Sequence, residues 1–147
     1  LNFEKLVFEA KSFLPNDMKA KVENINSMDA QEKAYIISIC YYHHGDYRKA
    51  LEISDKFHLL SNAWEVLHLL ILDKMKKSDA IIEMIKKNVN TIDPLLALLV
   101  KHVSYKYLKE QNEILDYIKG DILSSKMFTD DHDILIYLMK DCEKILS

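Results

Sequence analysis

Glycine and proline are so scarce in this chain that their scarcity narrows the fold more than any other feature. Gly45, Gly120, Pro15 and Pro94 are the only four such residues among 147, so there is little to punctuate sheets or long loops. The expected fold class is all-α. A chain of this length forms one domain, residues 1–147, and buries well over half of its unfolded surface without disulfides. Apolar periodicity places helices at 2–13, 16–25, 30–44, 46–58, 61–75, 77–88, 92–108, 110–119 and 131–146. Start signals accompany several of them: Asn16 and Asp17 after Pro15, Ser61-Asn62 before Trp64, Ser78-Asp79 before Ile81, and Thr91 before Asp93-Pro94. The segment 120–130, GDILSSKMFTD, reads as a loop with one short turn.

Short helices joined by turns of a few residues must run antiparallel, and a ladder of such pairs is a solenoid. The pairs also repeat. Ala34 and Trp64, Ile37 and Leu67, Ser38 and His68, Tyr41 and Ile71, and Ala50 and Ala80 are each 30 residues apart. A third unit starts near Leu96, with Leu99, Val100 and Val103 at the same internal steps. The best unit, AYIISICYYHHGDYRKALEI, resembles a tetratricopeptide repeat, a helix–turn–helix of about 34 residues. Ala34, Ile37, Ser38 and Tyr41 stand at that pattern's first-helix positions. Gly45 and Tyr47 mark its turn, and Ala50 is the small residue of its second helix. Close packing explains the pattern: Ser38 and Ala50 let two backbones approach, while Ile37, Tyr41 and Tyr47 fill the space around them.

The resemblance implies antiparallel pairs stacked as a right-handed α-solenoid. Its repeats would span 31–58, 61–88 and 92–119, flanked by helices within 2–25 and 131–146. Trp64, Leu67 and Ala80 are the packing residues of the second unit. That unit departs from the pattern: it lacks the turn glycine and carries His68 at a small-residue position. Ser54 and Phe57 depart too, standing where the family prefers an aromatic and an alanine.

Three first helices, AYIISICYY, AWEVLHLLIL and LLALLVKHV, are apolar on almost every side. In a tetratricopeptide stack the first helices line a concave groove, so Tyr35, Ile39, Tyr42, Glu65, Leu69 and Leu72 are expected there as an exposed apolar surface. Such a patch marks an interface, unless the chain's own flanking helices cover it. The same positions lack the Lys, Asn and Arg that grip chaperone carboxylates, so that use of the fold is not expected. An apolar groove suits a second copy related by a two-fold axis. The run AYIISICYYHHGDYRKAL is similar to the early repeats of the scaffold subunits of the anaphase-promoting complex, a ubiquitin ligase of the cell cycle. Those subunits dimerise through their N-terminal regions. The resemblance implies a non-catalytic homodimerising scaffold that contacts other subunits of a multiprotein complex. The alternative is an adaptor whose groove takes an amphipathic helix or peptide of a different partner.

Other classes lack their signatures. Net charge is −3 with the basic residues scattered, which gives nucleic acid no electrostatic footprint. Apolar runs stop well short of the ~20 residues that span a bilayer, so no membrane is expected. Cys40 and Cys142 have no CxxC spacing and read as buried thiols in a reducing compartment, nuclear or cytoplasmic. Neither end carries a targeting signal, and a chain starting at Leu1 reads as a piece of a longer protein. Two glycines far apart build no phosphate loop, so no cofactor is expected.

Two clusters invite an enzyme reading, a small metal-dependent hydrolase. His43, His44 and Asp46 form the first. Adjacent histidines on a helix diverge by about 100° and do not chelate one ion, whereas Gly45 ends a helix and histidines suit its C-terminal dipole. The second, DDHD at 130–133, precedes ILIYLMK and reads as an acidic N-terminal cap. Both are assigned to structure, and no metal is expected.

Overall fold

The computed structural model describes residues 3–88, 91–93, 96, 99 and 100. Its elements are α1 (Phe3–Glu9), α2 (Pro15–Glu23), α3 (Ala30–His43), α4 (Tyr47–Phe57), α5 (Asn62–Met75) and α6 (Ser78–Asn88), with no strand among the described residues. The expected helices at 110–119 and 131–146 lie outside the described residues, as do Cys142 and the 130–133 cluster. Of the expected helix at 92–108, Leu96, Leu99 and Val100 are described, all helical and all buried.

Caps and turns set these boundaries. Asp29 and Glu32 form a reciprocal capping box at the start of α3: Glu32 N–H donates to Asp29 Oδ1 at 2.8 Å and Asp29 N–H to Glu32 Oε1 at 3.2 Å. Ser61 Oγ accepts from Trp64 N–H at 3.2 Å to start α5. Two starts differ from expectation. Pro15, not Asn16 or Asp17, opens α2; it occupies the first turn and holds Leu14 extended, while α1 ends at Glu9 rather than 13 and turns carry the chain on to Phe13. Beyond α6, Asp93 rather than Thr91 caps, accepting from Leu96 N–H at 2.7 Å.

Gly45 closes α3 with φ +78°, and Asp46 N–H reaches back to Tyr41 O at 3.0 Å. At the matching turn after α5 no glycine is available. Lys76 adopts φ 53° and ψ 40° in its place, and Lys77 N–H donates to Leu72 O at 3.1 Å. A lysine in this left-handed region costs about 1 kcal/mol relative to glycine.

The helices pack in chain order, α2 on α3, α3 on α4, α4 on α5 and α5 on α6, while α3 also touches α1 and α5. The two inner helices, α3 and α5, are apolar on all sides and buried accordingly: every residue from Ala63 to Leu72 is buried, as are Tyr35, Ile36 and Ser38 to Tyr42. The outer helices are amphipathic, α4 burying Ala50 and Ser54, and α6 burying Ile81, Met84 and Ile85. Ser38 and Ala50 meet as a close contact, both fully buried, with Ser38 Oγ donating to Ala50 O at 3.1 Å. Around it Tyr41 is buried, while Ala34, Ile37 and Tyr47 are half-buried against the core; in the next pair Trp64 and Leu67 are buried and Ala80 half-buried.

The expected open groove is absent from the described residues. Tyr35, Ile39, Tyr42, Glu65, Leu69 and Leu72 are all buried, none more than 6% exposed. The reason is the chain's own packing. Tyr35 turns toward α5, its hydroxyl donating to Ala63 O at 3.5 Å and its ring meeting Trp64 edge-on at 4.9 Å. Tyr42 meets Tyr47 of α4 at 5.8 Å. On the other side α1 and α2 lie against α3, and Cys40 Sγ donates to Phe13 O at 2.9 Å.

Candidate functional site

Polar groups are rare in this core, and those present gather at one seam. α4 ends at Phe57, α5 begins at Asn62, and the antiparallel pair brings the last turn of one beside the first turns of the other. Two ring pairs cross the seam: Phe57 stacks on Trp64 at 4.9 Å and 22°, and His58 stacks on His68 at 4.1 Å and 9°. Trp64 Nε1–H also donates to Gln31 Oε1 of α3 at 3.3 Å.

The histidine pair has polar neighbours on three helices. From α4, Ser54 Oγ lies 2.8 Å from His68 Nδ1 and 3.3 Å from Leu51 O. A hydroxyl has one proton to give, so the imidazole tautomer decides which of the two receives it. Asp55 Oδ1 stands 3.7 Å from the other ring nitrogen, Nε2. From α5, Glu65 Oε1 accepts from Lys87 Nζ of α6 at 3.1 Å and lies 3.6 Å from His58 Nδ1, within ion-pair range but beyond a hydrogen bond. Glu65 Oε2 and His58 Nδ1 are buried with no hydrogen-bond partner. Beside the pair a cavity of about 310 Å³ opens between α5 and α6, next to His58. Leu72, Ala80 and Met84 form its apolar lining, and His58, His68, Glu83 and Lys87 its polar one.

Burial, followed by the positive charges of His58 and Lys87, pushes His68 down from 6.5 to about 4. His68 is therefore neutral at neutral pH. The stability consequence has a definite sign: below about pH 6.5 the unfolded chain takes up a proton that the folded chain refuses. His68's contribution is present in full above that pH and is lost as pH falls toward 4, by about 3 kcal/mol at ~1.4 kcal/mol per pKa unit. Urea unfolding at pH 7.5 and pH 4.5 checks this, and His68→Ser is expected to show a shallower loss between the two. Cys40 is pushed the other way, up to about 11, by burial and then by the Asp17 carboxylate, so its thiol stays protonated.

Ser54, His68 and Asp55 have the composition of a hydrolytic triad but not its working geometry. Ser54 is fully buried, so no substrate carbonyl reaches Oγ. At the other sequence candidate, His44 Nδ1 sits 2.9 Å from Cys40 O, the His43 and Tyr42 rings lie edge-on at 5.4 Å, and Asp46 caps α4 by accepting from Lys49 N–H at 3.3 Å. No group of three His, Cys, Asp or Glu side chains among the described residues is arranged to hold a metal ion.

Sequence reasoning missed His58, Lys87 and the role of Ser54. It did register two departures from the repeat pattern, Ser54 in place of an aromatic and His68 in place of a small residue. Those two residues are bonded partners: a large side chain on α5 fills the room left by a small one on α4. Scans against protein-family models, curated proteins and solved structures each give no match to this chain. Among the described residues no helix is long and apolar enough to cross a membrane.

Proposed function

We propose that this chain is a non-catalytic protein–protein interaction module of tetratricopeptide-like hairpins. In this reading it self-associates within a multiprotein scaffold of the anaphase-promoting ubiquitin ligase kind, in the nucleus or cytoplasm. The supporting observation is the ladder itself. Consecutive hairpins pack with both inner helices sealed, and the buried polar groups join helices to one another instead of converging on a reactive atom. The resemblance of residues 34–53 to such repeats supplies the rest.

The contact surface must differ from the groove first expected, because those six residues are buried. Large apolar side chains remain exposed elsewhere: Phe8 and Leu14 near α1 and α2 at 59% and 61%, Leu59 and Leu60 in the α4–α5 turn at 70% and 60%, and Ile92 just past α6 at 98%. Because α6 runs antiparallel to α5, with Lys87 reaching Glu65, the turn and Ile92 lie at the same end of the helices. We assign the self-association surface to that end.

Light scattering coupled to size exclusion is expected to give twice the 17.2 kDa chain mass. The double variant Leu59→Glu, Leu60→Glu should give the single mass with an unchanged helical spectrum, since exposed positions accept charge at little cost to folding. A wild-type monomer at high concentration would overturn self-association. Stabilisation of that monomer by an added amphipathic helix would then favour the adaptor role.

A further inference from the structure

We propose that the stacked His58–His68 pair is an acid-sensitive latch: protonating both rings parts α4 from α5 while the helices themselves persist. The two rings are parallel and 4.1 Å apart, on opposite sides of the seam. Two imidazolium ions cannot share that stack without strong repulsion in a poorly solvated site.

The charges facing the pair decide how far protonation can go before the seam gives way. From α4, Asp55 lies 3.7 Å from His68 Nε2, but it is more than half exposed and screened. From α5, Glu65 is buried and 3.6 Å from His58, but the same oxygen already accepts from Lys87. From α6, Lys87 adds positive charge and Glu83 negative charge at the cavity. One proton on the pair therefore finds a carboxylate, and the second finds mainly its neighbour's charge. Opening relieves that repulsion, so it should take up about one proton beyond what the closed stack holds.

The fold supplies both a weak line and a route for water. The α3–α4 seam is closed by Ser38 against Ala50 and apolar side chains, whereas the α4–α5 seam carries two histidines, a carboxylate and two buried polar atoms without partners. The cavity of about 310 Å³ is lined by both imidazoles, so water entering it would hydrate the charged rings directly. Burial already holds His68 near 4, which places the transition between about pH 6.5 and 4.

Trp64 is the sole tryptophan of the chain, fully buried at this seam and stacked on Phe57 next to His58. The experiment follows its emission maximum and acrylamide accessibility in the full chain from pH 7.5 to 3.5, beside far-ultraviolet circular dichroism. A red shift and exposure of Trp64 with the helical signal retained, and a dependence on about one proton, is the expected result. His58→Gln, at a partly exposed position, removes the neighbouring ring's charge and should move the transition to lower pH. His68→Ser, which installs the residue found at the matching position 38, should abolish the early transition. Loss of helix in step with Trp64 exposure would overturn the latch, as would a transition unchanged in His58→Gln or no shift down to pH 3.5.

Discussion

Replacing Leu69 by glutamate is expected to unfold the protein, not to separate two copies of it. On an open groove a charge at this position would only block a partner. Leu69 is instead fully buried at the centre of α5, among residues buried on every side of that helix. An unpaired buried carboxylate, together with the lost leucine packing, should cost about 4 kcal/mol or more, a large share of a typical domain's 5–15 kcal/mol. Urea denaturation checks the magnitude, with Leu69→Met as the volume-matched control expected to cost less than about 1.5 kcal/mol. A folded Leu69→Glu protein with the wild-type midpoint would restore the groove.

Trp64→Ala should cost about 3–5 kcal/mol, the range for emptying a buried aromatic site. Its indole joins three helices: stacked on Phe57 of α4, edge-on to Tyr35 of α3 at 4.9 Å, and hydrogen-bonded to Gln31. Alanine removes all three links and leaves a cavity where they met. Trp64→Phe can keep the ring contacts while losing the hydrogen bond, worth about 1 kcal/mol, plus some volume, so its midpoint should fall between those of the wild type and the alanine variant. Equal losses for the two variants would show that the site collapses around any substitution.

The local features of this fold were legible in the sequence. The boundaries of α3 to α6 fall within one residue of those read from apolar periodicity. Gly45 ends its helix, and Ser61 caps the next. These depend on neighbours a few residues away. What covers a helix face depends on other helices, as Ala63 meets Tyr35 from 28 positions away and Phe13 meets Cys40 from 27, and there the reading failed: full apolarity of α3 and α5 was taken for half core and half groove, when it meant core on both sides. The candidate site was hidden for a related reason. His58 belongs to no motif, and it gains neighbours only when α4 folds back on α5 and Lys87 arrives from α6. Ser54 and His68 were each seen as a lapse from a pattern, because a pattern scores positions singly while packing scores them in pairs. Nor does sequence spacing reveal that Lys76 takes on the left-handed conformation that Gly45 adopts more easily.

The bond between Ser54 and His68 bears on how such a chain avoids pairing with itself wrongly. Near-repeats carry a hazard of register: α3 and α5 present similar apolar surfaces, and either could nest against α4 or α6 during folding. In the observed arrangement Ser38 serves a contact inside its own hairpin, whereas His68 reaches back across a hairpin boundary to Ser54. If α5 took the place of α3, the imidazole would have to fit where Ser38 and Ala50 hold two backbones close, and Ser54 would lose its imidazole partner. Overpacking on one side and a lost bond on the other would disfavour that register. The histidine that spoils the repeat thus acts as a key, giving consecutive hairpins an order that their apolar residues alone would leave ambiguous.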